Sequence, residues 1–239
     1  MVEFPTTTFA LLTLNIVIFI FISPSIDFFT DNYGFTPANF QPITLLTYMF
    51  IHIDYFHLLG NMAMLLALGI VLEPRIGWKN LLLVYFLSGL TAIPFDYLGR
   101  IVMNIPLDMV LVGSSGAIFG LFYLCGILKP YEKVPTIIIV GTIIPLVIEL
   151  LTSIVGVFLE NPIFLMVFVF AILVFVGSIL IFTPTLPVIV ALILYFIFWV
   201  MLTVTGFMES VSYFGHAGGM LGGILALFLF RKKKANFRK

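Results

Sequence analysis

Gly113-Ser114-Ser115-Gly116 opens an apolar run, Ala117 to Leu128, whose composition otherwise suits lipid. A hydroxyl flanked by glycines at the mouth of a membrane helix can be approached closely by another backbone or by a substrate, because glycine brings no side chain to the crossing. Such a site suits a nucleophile. It also suits ordinary helix packing, the commoner use of small residues in membranes, so the four residues alone decide nothing. A second glycine-spaced stretch far downstream, Gly215-His216-Ala217-Gly218-Gly219-Met220-Leu221-Gly222-Gly223, carries a histidine at the corresponding end.

Composition makes the membrane reading general. The 239-residue chain is 62% hydrophobic and 9% charged, with a mean hydropathy of +1.24 and no net charge. Apolar runs near helix-spanning length recur from end to end, which excludes a water-soluble globule and points to an all-α polytopic membrane protein. The first apolar run has Glu3 and no Lys or Arg before it and no small-residue cleavage site after it, so it is expected to remain as a helix rather than be removed as a signal. With one cysteine, Cys125, the chain can form no internal disulfide.

Eight spans are expected, at roughly 8–25, 56–73, 80–97, 115–130, 135–158, 162–182, 186–207 and 212–230, with sharp polar punctuation at Glu73-Pro74-Arg75, Lys129-Pro130 and Thr183-Pro184. The long loop Ile26 to Tyr55 is too apolar for a solvated linker and is expected to lie in the interface or dip into the membrane against protein. The chain reads as a single integral membrane domain, 1–239. Threading the spans from an inside N-terminus puts Arg75, Lys79, Lys129, Lys133 and the basic tail Arg231 to Lys239 on one side and Arg100 alone on the other. Both termini are then cytoplasmic, in a cell-membrane protein. The same threading, built without them, brings His52, His57, Ser115 and His216 near the outer face.

His57 and Asn61, four residues apart, share a helical face, and His52 precedes them by five. Asn and His side chains can donate hydrogen bonds to a developing oxyanion. A metal site is disfavoured, because no His-Glu-x-x-His pair or second carboxylate stands at ligand spacing beside Asp54. If the serine and histidine helices touch, His216 can take the Ser115 proton and return it to a leaving amine. The four-residue spacing of Gly116 and Gly120, and of Gly215, Gly219 and Gly223, favours that contact. Asp108 and Glu209 fall in loops and nothing places either beside His216, so the reading is a dyad.

Taken together, Gly113-x-Ser115-Gly116, His52-x4-His57-x3-Asn61 and His216-x2-Gly219-x3-Gly223 resemble the rhomboid intramembrane serine proteases. The resemblance implies Ser115 as nucleophile and His216 as general base. It also implies oxyanion stabilisation by Asn61, the Ser115 backbone N–H and His52, with His57, Gly113 and Gly116 in support. It covers a six-helix core, 8–130 and 186–230. Most members have one helix between the serine and histidine helices, whereas three apolar runs fill that interval here, so two helices, 135–182, look inserted. Because a pair preserves parity, His216 still returns to the outer face. Glu149, an intramembrane carboxylate in the fifth run, has no assigned role.

The function expected is hydrolysis of peptide bonds in the transmembrane segment of single-span or polytopic client proteins within the lipid bilayer. Clients with Gly, Ala, Ser or Pro near the scissile bond suit it, since such segments unwind readily. No cofactor and no nucleic-acid partner is implied. Two other classes fit parts of the pattern: a transporter using Glu149, Asn61 and the histidines as a pathway, and an inactive relative that binds membrane clients. The absence of an internal repeat weighs against the first, and the retention of both Ser115 and His216 against the second.

Overall fold

The computed structural model describes residues 4–128, 131, 133–135, 185–187, 190 and 212–236. The expected spans 135–158, 162–182 and 186–207, Glu149 among them, lie outside these apart from a few edge residues. Residues 1–129 and 209–239 form one compact unit and residues 130–208 another. In the first unit the chain runs through α1 (Thr6–Ile22), a 3-10 turn (Ser23–Ser25), α2 (Ile26–Tyr33), α3 (Thr44–Thr47), a second 3-10 turn (Tyr48–Phe50), α4 (Tyr55–Ile76), α5 (Trp78–Met103), α6 (Ser115–Leu128) and α7 (Tyr213–Asn236). Three helical stretches, Thr6–Tyr33, His57–Ile76 and Trp78–Met103, are long and apolar enough to cross a membrane. Ser115–Leu128 and Phe214–Phe230 are shorter apolar helices.

In the second unit the described residues form a ribbon of two short antiparallel strands, β1 (Lys133–Pro135) and β2 (Thr185–Pro187), with Val134 opposite Leu186. The chain is therefore helical in class, as its composition dictates, with one small addition. Each strand ends on a proline, Pro135 and Pro187, and helical periodicity gave no sign of their pairing.

α1 begins without a side-chain cap of its own. Glu73, near the far end of α4, supplies one: its carboxylate accepts the Thr7 and Thr8 N–H groups and the Thr8 hydroxyl, each at 2.7 Å. A negative group at the start of a helix meets both the orphan N–H donors and the positive end of the macrodipole, and in lipid no water would replace it. α4 accordingly continues through Pro74 to Ile76 rather than ending at Glu73. α5 runs six residues beyond its expected end, to Met103, because Arg100 is paired inside the helix with Asp96 and need not seek water. Asn104 then stops the helix in the left-handed region, φ 55°, its N–H returned to the Arg100 and Ile101 carbonyls.

The loop after α2 is folded in against the helices. Tyr48, Met49, Ile51 and His52 are all buried. Phe35 and Leu111 exchange both main-chain hydrogen bonds, at 2.9 and 2.8 Å, tying this loop to the one that precedes Ser115.

α5, α6 and α7 pack backbone to backbone. A methyl on Gly219 would strike the Gly116 carbonyl, and one on Gly223 the Gly120 carbonyl. On the α5 side, a methyl on Gly218 would lie 2.5 Å from the Thr91 carbonyl. The glycine spacing therefore does what it promised: it brings the N-terminal turns of α6 and α7 together. Gly219→Ala is expected to lower stability by about 1–3 kcal/mol, the usual cost of overpacking. Gly60→Ala, where nothing lies within 4 Å of the added methyl, should leave thermal unfolding in detergent unchanged or slightly raised. Equal unfolding temperatures for the two variants would rule out the close approach.

Candidate active site

Ser115 is the first residue of α6. The preceding Gly113 has φ 104°, a backbone state that L side chains rarely adopt, and its N–H donates to the Tyr48 carbonyl at 2.8 Å. That hydrogen bond fixes the chain just before it turns into the helix. Tyr48 is in turn anchored by its hydroxyl, which donates to the Gly89 carbonyl of α5 at 2.7 Å. Space is a second reason for glycine here: a methyl at Gly113 would sit 2.5 Å from His57 Nε2 and 3.7 Å from Asn61 Nδ2.

His216 lies in the first turn of α7. Ser212 caps that turn, its hydroxyl accepting the Gly215 N–H at 3.0 Å and its carbonyl the His216 N–H at 3.1 Å. The cap directs the imidazole toward α6, and His216 Nε2 stands 2.9 Å from Ser115 Oγ. The Phe119 ring, one turn beyond Ser115, stacks on the imidazole with centroids 4.1 Å apart and planes at 13°. Among the described residues, His216 Nδ1 has no hydrogen-bond partner. Tyr48, Leu111, Gly113, Ser115, Ser212 and His216 line a small recess open to the surface.

The other expected site residues separate into two groups. His57 and Asn61 flank Gly113 from α4. Asp54 caps that helix by accepting the His57 N–H at 2.8 Å, and Asn61 Nδ2 donates one hydrogen to the His57 carbonyl at 3.0 Å, leaving its second N–H available. His52 lies behind the turn. It is fully buried, its Nε2 is 3.3 Å from Ser114 Oγ, and its ring meets that of His57 edge-on at 5.0 Å. Burial, and then the neighbouring His57, push its imidazole down to about 3, with the Phe50 backbone acting weakly the other way, so His52 is neutral at physiological pH. Ser114, also fully buried, points away from the recess toward His52, whereas Ser115 lines it.

Sequence reasoning missed Tyr48 and Phe119. The Phe119 signal was present, since a residue four beyond Ser115 must lie on the same helical face. Tyr48 acts mainly through its carbonyl, which no side-chain pattern reports.

A family model described as the Rhomboid domain matches residues 39–166, over half of the chain. The chain belongs to the rhomboid family. A Bacillus subtilis (strain 168) protein named "Putative rhomboid protease YdcA" is 36% identical over 125 residues, which cover 50% of this chain and 60% of that protein. Two Arabidopsis thaliana proteins, RHOMBOID-like protein 2 and RHOMBOID-like protein 7, are 40% and 36% identical over 78 residues, 32% of this chain and 22% and 23% of theirs. The matches thus span 60% of the bacterial relative's length and under a quarter of the plant ones. No solved structure matches. The rhomboid match includes α4, α5 and α6 and stops short of α7, so the pairing of His216 with Ser115 stands on the geometry of this chain.

Gly113→Ala is expected to displace the turn, because it meets both the φ penalty and the His57 ring. Ser114→Ala removes one neutral contact and should cost no more than about 1.5 kcal/mol. Thermal unfolding in detergent checks both: the first variant should unfold at a clearly lower temperature than wild type and the second close to it.

Proposed function

We propose that this rhomboid is an intramembrane serine endopeptidase that cleaves the transmembrane segments of client membrane proteins. The observation that carries the reading is the 2.9 Å separation of Ser115 Oγ and His216 Nε2, across two helices more than a hundred residues apart in sequence. Ser115 Oγ attacks the scissile carbonyl carbon while its proton passes to His216 Nε2. The C–N bond then breaks, the amine leaves with that proton, and an acyl-enzyme remains on Ser115. Water, deprotonated by His216, attacks the ester carbonyl, the C–O bond to Ser115 breaks as His216 returns that proton to Ser115 Oγ, and the second product leaves as a carboxylic acid. The Ser115 hydroxyl, the Ser212 hydroxyl and the His216 ring all border the recess through which that water would enter.

The positions of the three polar residues around the turn favour His57 and Asn61 as the oxyanion donors. They flank Gly113, and each has an N–H to offer. His52 is better read as the residue that holds Ser114, which moves it from direct stabilisation to support of the turn. The remaining architecture follows the sequence reading: eight spans, with a core of 8–130 and 186–230 and an inserted pair over 135–182. Both termini lie in the cytoplasm and the dyad near the outer face of the cell membrane, by the distribution of Lys and Arg.

Ser115→Ala should abolish both fluorophosphonate labelling and cleavage of a model single-span client, with the unfolding temperature preserved. If Ser114→Ala is the inactive variant instead, the nucleophile is misassigned. Loss of one oxyanion donor typically costs about a hundredfold to a thousandfold in turnover. Asn61→Ala and His57→Ala should each lower kcat on that scale with KM little changed, while His52→Ala should lower stability and activity together. A His52→Ala variant with normal stability and a selective kcat loss would return the donor role to His52.

A further inference from the structure

α5 carries neither Ser115 nor His216, yet it holds a buried ion pair that the hydrolytic scheme does not use. Asp96 and Arg100 lie one turn apart and are 3% and 6% exposed, with Arg100 Nε donating to Asp96 Oδ2 at 2.7 Å. The other arm of the guanidinium leaves the helix: Nη1 donates to the Met109 carbonyl at 2.7 Å and to the Pro106 carbonyl at 3.2 Å. Those carbonyls belong to the non-helical segment between α5 and α6, which contributes Leu111 and Gly113 to the recess and ends at Ser115. On the opposite side, a methyl on Gly215, the residue before His216, would lie 3.6 Å from the Asp96 Cβ. One turn of α5 therefore meets the approach to both halves of the dyad.

Stability alone is a poor reason for this pair. Desolvating two charges offsets most of their attraction, and well-packed apolar residues of similar volume usually do as well or better. What a guanidinium can do, and an apolar side chain cannot, is fix main-chain carbonyls and a carboxylate at once through its rigid fork.

We propose that Arg100, oriented by Asp96, is a positioning residue: it sets segment 106–112 so that the Gly113-to-Ser115 turn stands at working distance from His216. The inference rests on the hydrolase reading of Ser115 and His216. Displacements of about 1 Å far from the reacting atoms can cost about a hundredfold in rate, so the effect should be large.

The test uses the full chain in detergent with two variants. The double variant Asp96→Leu, Arg100→Met keeps volume and removes both charges. Arg100→Lys keeps the charge but replaces the planar fork with a single ammonium. Three quantities are read: unfolding temperature, kcat and KM for a single-span client, and amide hydrogen exchange over 105–112. For the double variant, which frees the Met109 and Pro106 carbonyls as well as removing the pair, we expect a modestly lowered unfolding temperature, a kcat about a hundredfold lower with KM little changed even well below that temperature, and faster exchange over 105–112 than in α4. Arg100→Lys should fall between it and wild type in kcat and in exchange. A double variant that is stable, labels with fluorophosphonate and cleaves like wild type would overturn the proposal while leaving the hydrolase reading intact. A kcat loss that merely follows a lowered unfolding temperature would also overturn it, since the pair would then be structural. Wild-type protein that neither labels nor cleaves would remove the hydrolase reading, and this inference with it.

Discussion

The Gly116 carbonyl and the Gly219 backbone occupy space in which no side chain fits, and the rest of the site depends on that contact. Helices ordinarily stand 8–10 Å apart, axis to axis, with side chains filling the space between them. Serine has one rotatable bond before its oxygen and histidine two before its ring. Glycines at the crossing remove the side chains that would otherwise stand between the two first turns, and Ser115 and His216 meet there directly. The repeat of the contact one turn on, at Gly120 and Gly223, makes the approach a property of the two helix faces rather than of one point. Lipid tails exert no hydrophobic force between helices, so the fit itself, through dispersion contacts along the faces, holds them together.

The close crossing fixes how near the helices come but not how they are rotated or how far one slides along the other. Polar contacts do that here, and the ones that set the register bind backbone groups. Tyr48 holds Gly89 through its hydroxyl and Gly113 through its carbonyl, placing the loop, α5 and the turn in one register. Glu73 does the same for the start of α1. In an apolar medium a main-chain N–H or C=O without a partner costs several kcal/mol, so every non-helical segment at membrane depth needs such an anchor. The number of these anchors around the loops flanking α2, α3 and Gly113 is what allows irregular backbone to exist there.

Much of this was legible in the sequence, and for physical reasons. The apolar runs marked α1, α4, α5, α6 and α7 within a few residues, because lipid leaves a chain few alternatives to helix. The pairing of Ser115 with His216 could be read because glycine spacing is itself a packing signal. Errors arose where one interaction reset a local rule. The expected span 80–97 stops short of Arg100, whereas Asp96 pairs with Arg100 within the helix and α5 runs on to Met103. His52 and His57, both five or fewer residues from the same helix start, could not be ranked by spacing. Only the position of each ring relative to Gly113 and Ser114 separates them. The long first loop showed its apolar content but not its partner, since the bridge between Phe35 and Leu111 joins residues with no pattern in common.

A base without an acid raises the question of what holds the imidazole and what stabilises it once charged. In the familiar triad a carboxylate does both, by accepting the Nδ1 hydrogen and by facing the positive ring. In the proposed dyad two different groups would divide the task. The Ser212 cap and the α7 backbone fix where His216 starts, and the Phe119 ring, parallel at 4.1 Å, fixes the plane of the imidazole from its face instead of its edge. In the proposed mechanism, where the ring gains the serine proton, that face would present the negative side of the aromatic quadrupole to a cation. Such contacts are worth about 0.5–2 kcal/mol, more where water is excluded, which is less than a buried carboxylate would offer but carries no desolvation cost of its own. In a site embedded among helices the difference matters: a permanent negative charge would have to be satisfied through the whole life of the protein, whereas a phenyl ring interacts strongly only while the imidazolium exists.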